Sequence, residues 1–391
     1  MNRRIALPGR NHRMRGVEVI GGERLRVACD EPGARLFFVA NHPTHSDPQI
    51  VMEAQRQMGV ISSFMAAYDV FLRSRVMAWV LQRGGAFSVD RDGNDRQSMK
   101  TAIEILTRGS FALTIFPEGN VYLTNDRVTP FQEGAAFIAM KAQKDLGEAG
   151  CIYAVPVSIR VTRVTDQREA IRGQLGRLAA EVGEELDIGA PFVEEVRRIG
   201  FAALERNLRQ RGYLHGPGGY PGEGGIRPAL EHCAEGIVEG LEAKMEITPK
   251  SRDGLGDRIR RIRGKVHQIR LDPERKADHV VAVGWADEAM TALRILSYSG
   301  DYLNGEATMD RVGESVEKLL EDTYSEMQAP IGERHAFVEF GEPIPLQREL
   351  SAFSEDGRGT LGRLTNRLES AIQEGVNRIN ERNDYSGSQV Y

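Results

Sequence analysis

The residues best suited to chemistry lie at 41–47, which read Asn-His-Pro-Thr-His-Ser-Asp. A histidine, whose unperturbed pKa is about 6.5, can accept a proton from a hydroxyl nucleophile, and a carboxylate on its other ring nitrogen stabilises the imidazolium. We therefore predict that His42 is a general base and that Asp47 is its partner. In the alternative interpretation, His42 only ends a strand and Asp47 only caps the helix that follows. We expect His12 and His45 to be surface residues.

A candidate anion ligand, Arg91, ends the segment 85–91, which reads GAFSVDR. Its guanidinium could hold a phosphate group through two parallel hydrogen bonds. The alternative is a solvated loop arginine beside its neighbouring aspartates.

A third group, formed by Pro117, Glu118 and Gly119, directly follows the apolar run FALTIF at 111–116. The proline fixes a turn, the glycine lets the backbone approach a ligand, and the glutamate can accept hydrogen bonds from substrate hydroxyls. The alternative is a turn that only ends a strand.

These three groups can act together only if the buried strands that precede them end close to one another. Residues 35–41 form a short apolar run without alternation, which is typical of a strand buried on both faces. Similar runs alternate with helical segments, which predicts an α/β fold with a mostly parallel central sheet flanked by helices. Because functional groups of such sheets lie beyond the carboxyl ends of the strands, we expect the three groups at that edge. The other predicted strands are 59–65, 86–89, 111–116 and 152–161, and the predicted helices are 70–83, 95–108 and 133–144, besides one that starts near Pro48.

The organisation changes after the fifth predicted strand, where helical periodicity takes over. A Gly/Pro-rich stretch at 212–228 is interpreted as a connector, because it lacks the GxxxxGK[ST] order of a phosphate-binding loop. Strand character returns at 335–346, before a last helix at 359–382. We therefore predict three parts: a core at 1–165, a helical insertion or subdomain at 166–330, and a returning core strand, C-terminal helix and disordered tail at 331–391.

Composition limits the classes of protein to consider. With 41% hydrophobic and 27% charged residues, the chain has the make-up of a globular protein. Its net charge of -5 supplies no general positive field, which argues against nucleic acid as a partner. We expect no secretory signal and no membrane span, since the longest apolar runs are strand-sized. The three distant cysteines fit a reducing, cytoplasmic compartment, and we expect no metal and no tightly bound cofactor.

One helical segment, residues 258–269, sets aliphatic residues along a single face with basic residues around them. This composition is typical of a helix that lies on an anionic membrane surface, so we expect peripheral contact with the inner face of a membrane. The alternative is an amphipathic helix that packs on its own core. The aliphatic residues are Ile259, Ile262, Val266 and Ile269.

The order and spacing of these motifs resemble the phospholipid/glycerol acyltransferase family. That family carries N-H-x4-D, then a block with Gly, Phe and Arg, then F-P-E-G, then a strand with V-P at its centre. The resemblance covers roughly residues 30–165 and returns near 338–345. The matching blocks are 41–47, 85–91, 116–119 and 155–157.

The resemblance implies an α/β acyltransferase without a bound cofactor. In it, His42 deprotonates an acceptor hydroxyl, Asp47 orients His42, and the hydroxyl oxygen attacks an acyl-CoA or acyl-carrier-protein thioester. The partners are therefore a lipid acceptor and a thioester donor. By similarity, Arg91, Glu118 and Gly119 bind the glycerol phosphate part of the acceptor and Pro156 shapes a pocket. The remaining candidate substrate-binding residues are Asn41, Phe87 and Pro117.

Two features depart from the family's pattern. After F-P-E-G the family usually continues with Thr or Ser and then Arg, whereas this chain has Asn120 and Val121. Arg127 is a candidate substitute, and the family's lysine before the second block has no counterpart. The acceptor is thus open among lysophosphatidic acid, another lysolipid and a glycolipid. A thioesterase is disfavoured by the absence of a G-x-S-x-G elbow, and a catalytically silent lipid or acyl-carrier binding module is the remaining alternative.

Overall fold

The computed structural model describes residues 6–72, 74–90, 95–214, 227–250 and 253–391. These residues divide into two compact units. Unit 1 holds described residues up to Gln167 together with Ala329–Gln389, and unit 2 holds Arg168–Gln328 with Val390–Tyr391. The predicted division into three parts at 1–165, 166–330 and 331–391 stays a prediction.

Among the described residues, unit 1 contains one sheet of eight strands. The strands are β1 (Met14–Ile20), β2 (Ala34–Ala40), β3 (Ser62–Ala67), β4 (Ala86–Val89), β5 (Ala112–Ile115), β6 (Cys151–Arg163), β7 (Arg334–Phe340) and β8 (Ile344–Pro345). Their order is β1-β7-β6-β2-β5-β3-β4, with β8 beside β6. The run from β6 to β4 is parallel throughout, while β7 is antiparallel to β6 and parallel to β1. The predicted fold class, a mostly parallel α/β sheet, is confirmed.

The helices cover both faces of this sheet or form unit 2. They are α1 (Gly22–Cys29), α2 (Asp47–Gln57), α3 (Tyr68–Leu72), α4 (Arg75–Arg83), α5 (Arg96–Arg108), α6 (Gly134–Leu146), α7 (Arg168–Val182), α8 (Phe192–Gln210), α9 (Arg227–Lys244), α10 (Leu255–Leu271), α11 (His279–Leu296), α12 (Met309–Tyr324), α13 (Leu350–Glu355) and α14 (Gly357–Arg382). Helices α7 to α12 form the predicted helical insertion between β6 and β7.

Strand β2 lies in the middle of the sheet and is buried on both faces. Phe37 and Val39 pack into a cluster that includes α5, α6 and α14, whereas Phe38 and Ala40 pack into a second cluster that includes α1 and α2. Each fully buried phenylalanine stabilises the fold by roughly 1.5–3 kcal/mol. This double burial explains the apolar run without alternation and fixes the strand end that leads into residues 41–47.

Pro156 lies inside β6, where a proline would ordinarily interrupt the hydrogen-bond ladder. Strand β8 pairs with Tyr153 and Ala154, and β7 pairs from Val157 onward, so the proline falls between the two partner strands. Its carbonyl oxygen accepts the Gly341 N–H at 2.8 Å. The ring nitrogen of Pro156, which carries no hydrogen, faces the same gap. The proline therefore removes no hydrogen bond from the ladder.

Two elements differ from their predicted bounds. The strand expected at 59–65 begins at Ser62, because the chain first closes the end of α2. Gly59 has a positive φ of 72°, and the Val60 N–H donates to the Gln55 carbonyl at 2.9 Å. The helix expected at 70–83 is divided into α3 and α4.

The tail at 383–391 was expected to be disordered, but the structure shows it packed. In unit 1, the Tyr385 ring lies 5.1 Å from the His335 ring. In unit 2, Tyr391 stacks on Phe192 with 4.7 Å between ring centroids. The prediction was wrong because it weighed the polar composition of the tail above its two aromatic anchors.

The aliphatic face that was expected to contact a membrane belongs to helix α10. Its four aliphatic residues are at most 3% exposed, since α10 packs against α9 and α11. Arg258 forms a 2.6 Å ion pair with Glu242, and Arg261 pairs with Asp253. The alternative interpretation, packing on the helix's own core, is therefore the one that the structure shows.

Candidate active site

The loop after β2 begins with Asn41, which ties the strand end to β6. Its side-chain Nδ2–H donates to the Ile159 carbonyl at 2.9 Å, and its Oδ1 accepts the Ile159 N–H at 2.7 Å. The side chain is 1% exposed. The structure thus gives Asn41 a positioning contact, while its role in substrate binding stays a prediction.

His42 and Asp47 lie together, as their spacing predicts. His42 Nδ1 is 2.8 Å from Asp47 Oδ2, and the carboxylate is fully buried. Because an ionised carboxylate only accepts hydrogen bonds, Nδ1 carries the proton and Nε2 has the free lone pair. Among the described residues, Nε2 has no hydrogen-bond partner, and the His42 side chain keeps 18% of its surface exposed.

Thr44 completes the bonding of the Asp47 carboxylate. The Thr44 N–H donates to Oδ2 at 2.8 Å, and the Thr44 hydroxyl donates to Oδ1 at 2.7 Å. With the Nδ1–H of the His42 ring, the carboxylate accepts three hydrogen bonds. The alternative in which Asp47 merely caps α2 is therefore incorrect, since its oxygens point back into the loop.

Ser46 precedes α2 but makes no side-chain capping bond. Its Oγ instead lies 3.0 Å from His12 Nδ1 and accepts the Arg334 Nη2–H at 3.0 Å. Burial, together with Arg334 and His45, lowers the pKa of His12. The two histidines expected at the surface, His12 and His45, are both partly buried, because the N-terminal segment packs against this loop.

Glu118 follows β5 and reaches the same sheet edge. Its Oε1 accepts the backbone N–H of His42 at 2.8 Å, and its Oε2 accepts the Thr129 N–H at 3.3 Å. Burial raises the pKa of Glu118 to about 7, although these two hydrogen bonds oppose the shift. The carboxylate therefore joins the ends of β2 and β5, and its role toward acceptor hydroxyls stays a prediction.

The turn around Glu118 also holds the His42 ring. Phe116 stacks on that ring with 4.4 Å between centroids and 26° between planes. The Pro117 carbonyl accepts the Gln132 N–H at 3.0 Å, and Gly119 has a φ of 75°. A side chain at Gly119 would be strained and would meet Gln132, so this turn requires glycine.

Of the three remaining predicted residues, two lie in strands and one lies outside the described residues. Phe87 lies in β4 and packs, partly buried, against the cluster on the α5 and α6 face. Pro156 lies in β6 opposite Val39, one residue before the end of that pairing region. Arg91 lies outside the described residues, so its role stays a prediction.

The segment after the F-P-E-G turn is anchored from several sides. Its anchors are the Val128 N–H to Gln373 Oε1 at 2.9 Å, the Phe131 N–H to Glu369 Oε2 at 2.7 Å, and Asp126 Oδ1 to Arg160 at 3.0 Å. Arg127, the candidate substitute for the missing arginine, lies in a turn within this segment. Thr44 and Thr129 are site contacts that the sequence did not reveal, because threonine is too common to signal a role without the fold.

Two further observations bear on the chemistry. In the part of the chain that the structure describes, no group of three His, Cys, Asp or Glu side chains could hold a metal ion. Within the same residues, every helix is too short or too polar to cross a membrane.

Known proteins resemble the first part of this chain. The family model described as Acyltransferase matches residues 16–160. A 1-acyl-sn-glycerol-3-phosphate acyltransferase from Streptococcus pneumoniae (strain ATCC BAA-255 / R6) is 32% identical over 107 residues, which are 27% of this chain. The match spans 38% of that relative's length.

The matched residues include the loop of His42 and Asp47 and the turn of Glu118. They also include the parallel run of the sheet from β2 to β5. The part of this chain that carries the candidate site, residues 16–160, is therefore similar to the phospholipid/glycerol acyltransferase family.

Proposed function

We propose that this protein transfers a fatty acyl group from a thioester to a hydroxyl of a glycerolipid acceptor. The observation that carries the proposal is the His42–Asp47 pair, with Nδ1 held by a buried carboxylate at 2.8 Å and Nε2 left to accept a proton. Phe116 and the Asp47 contact fix the ring orientation that a general base needs.

In this mechanism the acceptor hydroxyl gives its proton to His42 Nε2 while its oxygen attacks the thioester carbonyl. Asp47 stabilises the imidazolium that forms. The tetrahedral intermediate then collapses, the C–S bond breaks, and the thiolate takes the proton back from Nε2. The products are the new oxygen ester and a free thiol, and His42 returns to its starting state.

The acceptor proposed first is lysophosphatidic acid, the acceptor after which the similar Streptococcus pneumoniae protein is named. Arg91, Glu118 and Gly119 are proposed to bind its glycerol phosphate part. Because Asn120 and Val121 replace the family's usual Thr/Ser and Arg, a second lysolipid or a glycolipid is the alternative acceptor. The donor is proposed to be acyl-CoA or an acyl-carrier-protein thioester.

The test is thiol release from palmitoyl-CoA, measured with lysophosphatidic acid, with a lysophospholipid and without acceptor. We expect acceptor-dependent release by the wild type and a loss of roughly 10²–10⁴-fold in His42→Ala, since general-base catalysis contributes that much. His232→Ala, at an exposed histidine of α9, is the matched control and should keep full activity.

Full activity in His42→Ala would refute the mechanism. Release without any acceptor would point to a thioesterase. If neither palmitoyl-CoA nor a palmitoyl-carrier-protein yields thiol, the silent binding module is the better explanation.

A further inference from the structure

Helix α4 exposes an apolar face although it belongs to unit 1. Val76 and Trp79 are 72% and 58% exposed, and Val80 follows at 37%. The spacing of these residues places them on one side of the helix, while α4 packs against α3 and the edge strand β4. Leu72, at the end of α3, is exposed as well.

The charged residues in the sequence around this face, between Asp69 and Asp90, have one sign. The sequence from 70 to 89 contains three arginines and neither aspartate nor glutamate, in a chain whose net charge is -5. Arg75 and Arg83 are exposed, and the Arg83 guanidinium lies over the Trp79 ring at 5.1 Å. We call Leu72, Arg75, Val76, Trp79, Val80 and Arg83 the α4 surface.

The position of this surface connects it to the candidate active site. Helix α3 starts at Tyr68, directly after β3 ends at Ala67. Because β3 is parallel to β5, and β5 to β2, this is the sheet edge at which His42 and Glu118 lie. The α4 surface therefore begins at the edge where the acceptor is proposed to react.

We propose that the α4 surface binds an anionic lipid bilayer, with the aliphatic residues and Trp79 in the headgroup region and the arginines on lipid phosphates. A helix with an apolar face, an aromatic residue and flanking basic residues is suited to this interface. An acidic carrier protein could use the arginines but would leave an exposed face of two valines and a tryptophan unexplained. Only the purpose of this binding, access to a lipid acceptor, rests on the proposed function.

The experiment uses the full chain and vesicles of phosphatidylcholine with or without phosphatidylglycerol. The chain has two tryptophans, Trp79 and Trp285, so a Trp285→Phe background makes fluorescence report on Trp79 alone. We expect sedimentation with the anionic vesicles, a blue shift of the Trp79 emission, and weakening of both by salt. The double variant Val76→Glu/Trp79→Glu, tested by sedimentation, should bind at least about 10-fold more weakly.

Ile188→Glu is the matched control, because this residue is 84% exposed in unit 2 and should leave binding unchanged. Far-UV circular dichroism confirms that each variant is folded. The proposal is overturned if the wild type does not sediment, or if the double variant binds as well as the wild type. It is also overturned if a carrier protein, and not the vesicles, shifts the Trp79 emission.

Turnover separates this proposal from the proposed function. With lysophosphatidic acid below its critical micelle concentration and no vesicles, the double variant should match the wild type. With acceptor embedded in anionic vesicles, it should be slower. Vesicle binding through the α4 surface in a protein without any acyl transfer would support this proposal and refute the proposed function.

Discussion

The loops that follow β2 and β5 each present one buried carboxylate to the same histidine, but in different ways. Asp47 contacts the His42 ring and accepts three hydrogen bonds, one of them from a hydroxyl. Glu118 contacts the His42 backbone, accepts the N–H groups of His42 and Thr129 and is also hydrogen-bonded by the Thr129 side chain, and burial raises its pKa to about 7.

The difference shows that the surroundings of Asp47 and Glu118 give the two carboxylates different roles. Asp47 places its carboxylate on the ring nitrogen, which is the position that the partner of a cationic imidazolium requires. For Glu118 the effect of burial on the pKa outweighs that of its hydrogen bonds, so this carboxylate suits a structural contact that the pH can modify.

The largest effect is expected from Asp47→Asn, which keeps the shape but removes the charge that fixes the His42 tautomer. We expect kcat to fall by about 10³–10⁴-fold, because the imidazolium loses its stabilising partner. Asp356→Asn, at the exposed carboxylate that caps α14, is the control and should change kcat little. A loss below 10-fold in Asp47→Asn would mean that the two carboxylates do not differ in role.

The next effect concerns Glu118 and the pH. Its folded-state pKa of about 7 lies above the ordinary 4.5, so the folded protein binds the proton more tightly than the unfolded chain. This contribution to stability is fully present below pH 4.5 and is lost as the pH rises through 7. Between pH 5 and pH 8, Glu118→Gln should therefore gain up to about 3 kcal/mol relative to the wild type.

Denaturant unfolding of both proteins at several pH values measures this difference. Glu148→Gln, at an exposed glutamate of the same unit, should follow the wild type at every pH. If Glu118→Gln also runs parallel to the wild type, folding does not raise the pKa of Glu118.

The smallest effect is expected from Thr44→Val, which removes one of the three donors of Asp47 and keeps the backbone N–H. A hydrogen bond to a charged group is worth about 1.5–3 kcal/mol, so we expect a stability loss near the lower end and about 10-fold lower kcat. Thr44→Ser restores the hydroxyl and should restore both quantities. Failure of the serine variant to do so would assign the effect to the methyl group.

The contact between His42 and Asp47 was predictable because the two residues stand close together in the sequence, just after an apolar run. The bond from His42 to Glu118 was not, since it depends on β2 and β5 being neighbours in the sheet. Strand β1 escaped prediction for the same reason: its partner β7 lies more than 300 residues away.

The helices α10 and α4 show that a sequence does not reveal whether an apolar face is covered. Residues 258–269 have the composition of an interfacial helix, yet their aliphatic face is covered by α9 and α11. Helix α4 has fewer basic residues in sequence, and its aliphatic face is open. Periodicity shows that a face exists, whereas only the packing shows whether it is covered.

The position of β7 between β1 and β6 has a consequence for biosynthesis. The ribosome releases β6 about 170 residues before β7, which corresponds to roughly 10–35 seconds of translation. During that interval β6 offers an open strand edge, and the sheet face that α14 covers is bare. We therefore expect the nascent unit 1 to bind chaperones until the whole insertion has emerged.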